Sequence, residues 1–158
     1  MITSKLVVGL DPGSASGAWG MVDQYGKYID CGSIFANDGR IDAKNLMQIL
    51  TFYRDMHDQI IIAVEDVGVR PGQGIASSGK FMRAAGAIEA VAAIMGDSMV
   101  LVRPQVWKKH HGLIGTEKLA SLEMARTLWP EAPLKLKKNH NQADALLIAL
   151  WLKDQRLS

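Results

Sequence analysis

Three carboxylates in this sequence stand where a charge is costly unless something holds it. Asp11 ends the apolar run LVVGLD and is followed at once by Pro-Gly. Glu65, with Asp66 behind it, ends a second apolar run, IIIAVED. Asp144 lies four residues beyond His140 and opens into the apolar stretch ALLIALWL. Each has an ordinary reading: Asp11 as the first residue of a turn, Glu65 as a polar strand stop, Asp144 as a helix-dipole partner, His140 as a solvated loop histidine. Their common placement at element ends favours a joint role. Clustered carboxylates raise one another's pKa unless cations neutralise them. Oxygen-rich clusters suit Mg²⁺, with Mn²⁺ as substitute. Two such ions about 3.5–4 Å apart can stabilise both the attacking and leaving oxygens of a phosphodiester cut.

The elements that must position these groups follow from periodicity. Residues 5–10 read as a strand buried on both faces, with PGSASG as the turn after it. Residues 17–23 and 27–35 return as second and third strands of an antiparallel meander. Residues 42–56 switch to a helical period through Leu46, Ile49, Leu50 and Tyr53. Residues 60–66 form the clearest buried strand, and the Gly/Ser/Pro-rich stretch 67–79 reads as a flexible loop. A long helix is predicted over 79–95, with Phe81, Ala85, Ile88, Ala92 and Met95 on one face. A short strand over 98–102 ends at Arg103-Pro104. A brief helix over 105–110 follows, then one over 117–128 capped by Thr116 and stopped by Pro130. The last helix is predicted from about Asn141, which places Asp144 in its first turn. The residues alone therefore predict a mixed α/β sheet of five strands, covered by helices on both faces. In such sheets, sites form outside the carboxyl ends of strands, where Asp11 and Glu65 stand.

The chain of 158 residues suits one domain over 1–158, with an ordinary 48% apolar and 22% charged residues. No apolar run reaches the length of a membrane span. A first strand from about Lys5 leaves no room for a targeting segment. Cys31 is the single cysteine and suits a reducing cytoplasm. The net charge of +2 is unevenly spread. Residues 1–100 hold 8 Lys/Arg against 11 Asp/Glu, a net of −3; residues 101–158 hold 10 against 5, a net of +5. The later segment therefore offers a phosphate-attracting surface. Candidate contacts to nucleic acid are Arg70, Lys80, Arg83, Lys108, Lys109, Lys118, Lys137 and Lys138. Trp107 and the pair His110-His111 either touch a nucleic acid or fill a hinge.

Five blocks carry a family resemblance. GLDPGSASGAWGMV resembles the opening hairpin of RuvC-like Holliday junction resolvases, within the ribonuclease-H-like superfamily. AVEDV resembles their second acidic strand, and SSGKFMRAAGAIEAVAA their long helix. RPQVWKKHHGLIGTEKLAS is similar to the segment leading into the next helix. NQADALLIALW is similar to the closing acidic helix. The order matches, and nearly the whole chain is covered.

The resemblance implies a ribonuclease-H-like fold and a metal-dependent endonuclease that resolves four-way DNA junctions by paired nicks as a homodimer. A branch-migration motor or phage recombination machinery is the implied partner, and the cytoplasm of a bacterium or phage-infected host the implied location. Asp11, Glu65 and Asp144 match three acids of that family, with Asp11 expected to bridge two ions. The family's fourth position, three residues before the last acid, is Asn141 here. His140, one residue earlier, is assigned as metal ligand or proton shuttle, and Asn141 as helix cap. An aromatic wedges against unpaired bases in such proteins; Phe81 is the counterpart here, in competition with core packing. The apolar face of helix 79–95 is the expected dimer contact. Three alternatives remain at this stage: a nuclease for flap, fork or RNA–DNA substrates, a non-catalytic junction binder, and an ATPase-type domain of the same superfamily.

Overall fold

In the computed structural model, which describes residues 2–157, strands β1 (Lys5–Asp11), β2 (Ser16–Asp23) and β3 (Tyr28–Asn37) form the expected meander. A two-residue strand, β4 (Arg40–Ile41), follows, then α1 (Ala43–Arg54), β5 (Gln59–Glu65), α2 (Ile75–Met95) and β6 (Ser98–Val102). The chain ends in α3 (Pro104–His110), α4 (Ala120–Leu128), a 3₁₀ turn (Lys137–Asn139) and α5 (His140–Arg156). Met1 and Ser158, the ends of the expected domain, lie outside the described residues.

One sheet runs in the order β4-β3-β2-β1-β5-β6. Neighbours from β4 to β1 are antiparallel; β5 pairs parallel with both β1 and β6. The sheet therefore has six strands, not five. The missing one, β4, is too short to show a period, and pairs only Ala36 with Ile41 and Asn37 with Arg40.

Side chains of alternate sign along each strand feed two cores. Leu6, Val8, Leu10, Ile60, Ile62 and Val64 face α1 and α2, meeting Leu46, Leu50, Ile88 and Met95. Val7, Val22, Ile61 and Ala63 face the other way, toward Trp107, Leu122, Leu146 and Leu147 of α3, α4 and α5. Continuous apolar strands with helices on both faces are what this two-sided burial requires.

Helix boundaries depart from the sequence reading in three places. α2 begins at Ile75, four residues early, because IASS carries no apolar stripe yet still propagates the helix; Ile75 is 93% exposed. α4 begins only at Ala120, so Thr116 is not its cap; the Thr116 hydroxyl donates instead to the Leu113 carbonyl at 2.6 Å. α5 begins at His140 with Asn139 in the cap position. Asn141 is thus inside the helix rather than its cap, and Asp144 lies in the second turn.

Candidate active site

β1 and β5 lie side by side and run parallel, with Leu10 opposite Val64. The next residues, Asp11 and Glu65, therefore emerge together at the carboxyl ends of two central strands. α5 supplies the third carboxylate by crossing the β1–β2 pair at unusually close range. Gly9 and Gly20 face each other across that pair. A Cβ on Gly9 would stand 2.0 Å from the Ala145 carbonyl oxygen, and one on Gly20 2.6 Å from the Leu146 nitrogen. Two glycines in strand interiors thus let a helix backbone rest directly on the sheet. Asp144, one residue before Ala145, is set beside the strand ends by this contact.

Asp11, Glu65, His140 and Asp144 all line one cavity of about 630 Å³, together with Asn141, Arg70, Lys108, Lys118, Ser121 and Phe81. His140 and Asp144, at i and i+4 on α5, share the face that looks into it. A smaller cavity of about 340 Å³ adjoins it, walled by residues 13–16 of the first hairpin, Arg70, Gln73 and Phe81. Phe81 is half-buried and lines both spaces.

The electrostatics are those of an over-full acidic site. Burial, then the charges of Glu65 and Asp144, drive the Asp11 carboxyl well above the usual carboxylate range; Lys108 pulls the other way. Burial likewise raises Glu65, opposed first by a hydrogen bond from Trp107 and then by Lys108 and Arg70. Asp144 is raised by burial and drawn back by the Ser121 hydroxyl, Lys108, His140 and Lys118. The Asp144 Oδ1 atom is buried and has no hydrogen-bond partner. A buried, unpartnered carboxylate oxygen costs free energy unless a cation or donor meets it. Among the described residues, no three His, Cys, Asp or Glu side chains stand grouped as they are so as to hold a metal ion. The donor set nevertheless fits a hard divalent cation: three carboxylates of one cavity, mutually repelling, one with an orphaned oxygen.

The basic candidates divide into groups. Arg70, Lys108 and Lys118 line the acidic cavity. Lys137 and Lys138 are exposed in the 3₁₀ turn that leads straight into His140, and Lys109 is exposed on α3. Lys80 and Arg83 turn instead to the β3–β4 corner: Lys80 pairs with Asp38 at 2.7 Å, and Arg83 donates to the Asp38 carbonyl at 3.2 Å.

Two supporting residues were not singled out from the sequence as parts of this site. Trp107 is fully buried, and its indole N–H donates to Glu65 Oε2 at 2.6 Å. Ser121, buried on α4, stands beside Asp144. A tryptophan in a short, otherwise polar helix was the available signal for the first; nothing marked the serine. The histidines after Trp107 dock α3 onto α5. His110 meets Asp154 at 2.7 Å, and His111 Nε2 meets the Leu147 carbonyl at 2.7 Å.

The chain is 29% identical over 161 residues to the crossover junction endodeoxyribonuclease RuvC of Nitratidesulfovibrio vulgaris strain Hildenborough, covering 99% of this chain and 95% of that one. A segment of 91 residues is 37% identical to the chloroplastic Holliday junction resolvase MOC1 of Chlamydomonas reinhardtii, which is 56% of this chain and 10% of that longer protein. The structure superimposes on T. thermophilus RuvC in complex with Holliday junction substrate with a TM-score of 0.68, at 21% identity, over 96% of this chain and 95% of that one. No family model matches. The chain is thus similar along its whole length to crossover junction endodeoxyribonucleases named RuvC, at 28–29% identity, and it shares the fold of T. thermophilus RuvC.

Proposed function

We propose that this chain is a crossover junction endodeoxyribonuclease: one nuclease domain that resolves four-way DNA junctions by metal-dependent phosphodiester hydrolysis. The observation that carries the reading is the convergence of Asp11, Glu65 and Asp144, from three distant parts of the chain, on one cavity with cations at its rim. Full-length similarity to crossover junction endodeoxyribonucleases supports the substrate class.

Asp11, Glu65 and Asp144 would hold the divalent ions, Mg²⁺ or Mn²⁺ and two per site, with His140 as a further ligand or proton carrier. Such ions supply charge neutralisation at the scissile phosphate and make water more acidic. Lys108, Lys118 and Arg70 hold phosphate oxygens at the cavity mouth, and Lys137 and Lys138 extend that surface. His140, on the same face as Asp144, accepts or delivers a proton at an imidazole nitrogen. Partial burial of the three acids strengthens each electrostatic contact among them.

The four-way junction has near-twofold symmetry, so paired nicks call for two copies of this cavity related by a matching axis. The face of α2 expected to make the dimer contact packs into the core instead, through Ile88, Ala92 and Met95; the opposite side, with Ile75, Met82 and Ile94 exposed, is the surface that supports a homodimer. Among the described residues no helix is long and apolar enough to cross a membrane. A cytoplasmic setting with a branch-migration motor or phage recombination machinery fits this role.

The test is a labelled panel of four-way junction, fork and plain duplex, each incubated with and without Mg²⁺. The expected result is paired nicks in the junction, only with the metal. A junction bound but never cut, or a fork or duplex cut in preference, would overturn the assignment.

A further inference from the structure

Glu65 has a partner that the proposed chemistry does not itself require. Trp107 lies on α3, 42 residues further along the chain, and has no solvent exposure. Its single polar atom, Nε1, donates to Glu65 Oε2 at 2.6 Å, a short, charge-assisted contact. A buried indole N–H needs an acceptor. This one takes an oxygen of a site carboxylate rather than a backbone carbonyl. Trp129 supplies the contrast. It belongs to the same core, is also nearly fully buried, and donates its Nε1–H to the Gly26 carbonyl at 2.9 Å, outside the acidic cavity.

We propose that Trp107 is a positioning residue for metal binding, a conclusion that rests on the metal-nuclease reading above. The indole occupies Oε2 and fixes the Glu65 rotamer, so Oε1 is the oxygen left for a cation. Glu65 is thereby confined to a one-oxygen grip. α3 is fixed in turn, because Pro104 starts it and His110 and His111 tie it to α5. One short helix thus sets Glu65 in place through Trp107 and presents Lys108 to the same cavity. Partners of this kind typically contribute 10–100-fold in metal affinity.

The test is a calorimetric titration of the DNA-free protein with Mn²⁺, on wild type, Trp107→Phe and Trp129→Phe. A fourth protein carries benzothienylalanine at position 107, which keeps the ring size and removes only the N–H. It stands in if Trp107→Phe does not fold. Both position-107 variants are expected to bind Mn²⁺ about 10–100-fold more weakly, with Trp129→Phe at wild-type affinity. Wild-type Mn²⁺ affinity in a folded position-107 variant would overturn the proposal and leave the nuclease reading standing. Equal weakening in Trp129→Phe would overturn it too, as a general effect of a damaged core. Wild type that neither binds Mn²⁺ nor cuts a junction would remove the reading itself.

Discussion

Replacing Gly9 by alanine should disable the enzyme without touching any residue that meets substrate. The added Cβ would lie 2.0 Å from the Ala145 carbonyl oxygen and 2.6 Å from the Ala149 nitrogen. Ordinary contact begins at 3.4 Å, so α5 must retreat from β1 by about 1.4 Å. Both obstacles are backbone atoms and neither can swing aside. Overpacking of a core costs roughly 1–3 kcal/mol, and a backbone-to-backbone clash belongs at the upper end. For a chain of this size about 3 kcal/mol lowers Tm by roughly 6–12 °C. The same displacement carries His140 and Asp144 away from Asp11 and Glu65. A misplacement of about 1 Å can cost on the order of 100-fold in rate. The assays are a thermal melt and single-turnover junction cleavage with Mg²⁺. Gly79→Ala is the control, since a Cβ there meets nothing within 4 Å. A Gly9→Ala protein that melts and cuts like wild type would refute the argument that α5 is seated on a glycine notch.

Four further outcomes follow from the cavity and the basic surface beside it. Asp11→Asn should abolish cutting while junction binding, measured by gel shift, persists. The same variant should also stabilise the metal-free protein. Burial and its neighbours raise the folded-state pKa of Asp11 above its unfolded value. Stability linked to that group is therefore complete below about pH 4, the unfolded value, and falls as pH rises through the raised folded pKa. The Tm advantage of Asp11→Asn in a chelator should accordingly grow from pH 4 to neutral; an advantage that is flat or largest at low pH contradicts the sign. His140→Ala should slow cleavage without lowering junction affinity, and unchanged cleavage would remove that residue from the chemistry. Lys137→Ala with Lys138→Ala should weaken junction binding and reduce the slope of log K against log salt by about 2; an unchanged slope places both lysines off the DNA.

The acids were legible in the sequence because each interrupts an apolar period. Asp11 and Glu65 could be placed at strand ends, and the parallel pairing of β1 with β5 then brings them together. β4 was not legible, since two residues show no period. The early start of α2 and late start of α4 were missed because capping there uses no side chain. Gly9 and Gly20 sit mid-strand, where a glycine signals close approach, but what approaches is a helix more than a hundred residues away. Trp107 read as a nucleic-acid contact or a hinge filler, and it is neither exposed nor free: it is fully buried. Its hydrogen bond to Glu65 depends on how α3 docks on α5, which no local spacing encodes.

The central claim is that Asp11, Glu65 and Asp144 jointly hold divalent cations. A crystal of the protein soaked in Mn²⁺, recorded at a wavelength where manganese scatters anomalously, tests it most directly. Anomalous peaks are expected in this cavity, about 2.0–2.3 Å from carboxylate oxygens of all three residues. Anomalous density elsewhere on the protein with none among these side chains would contradict it.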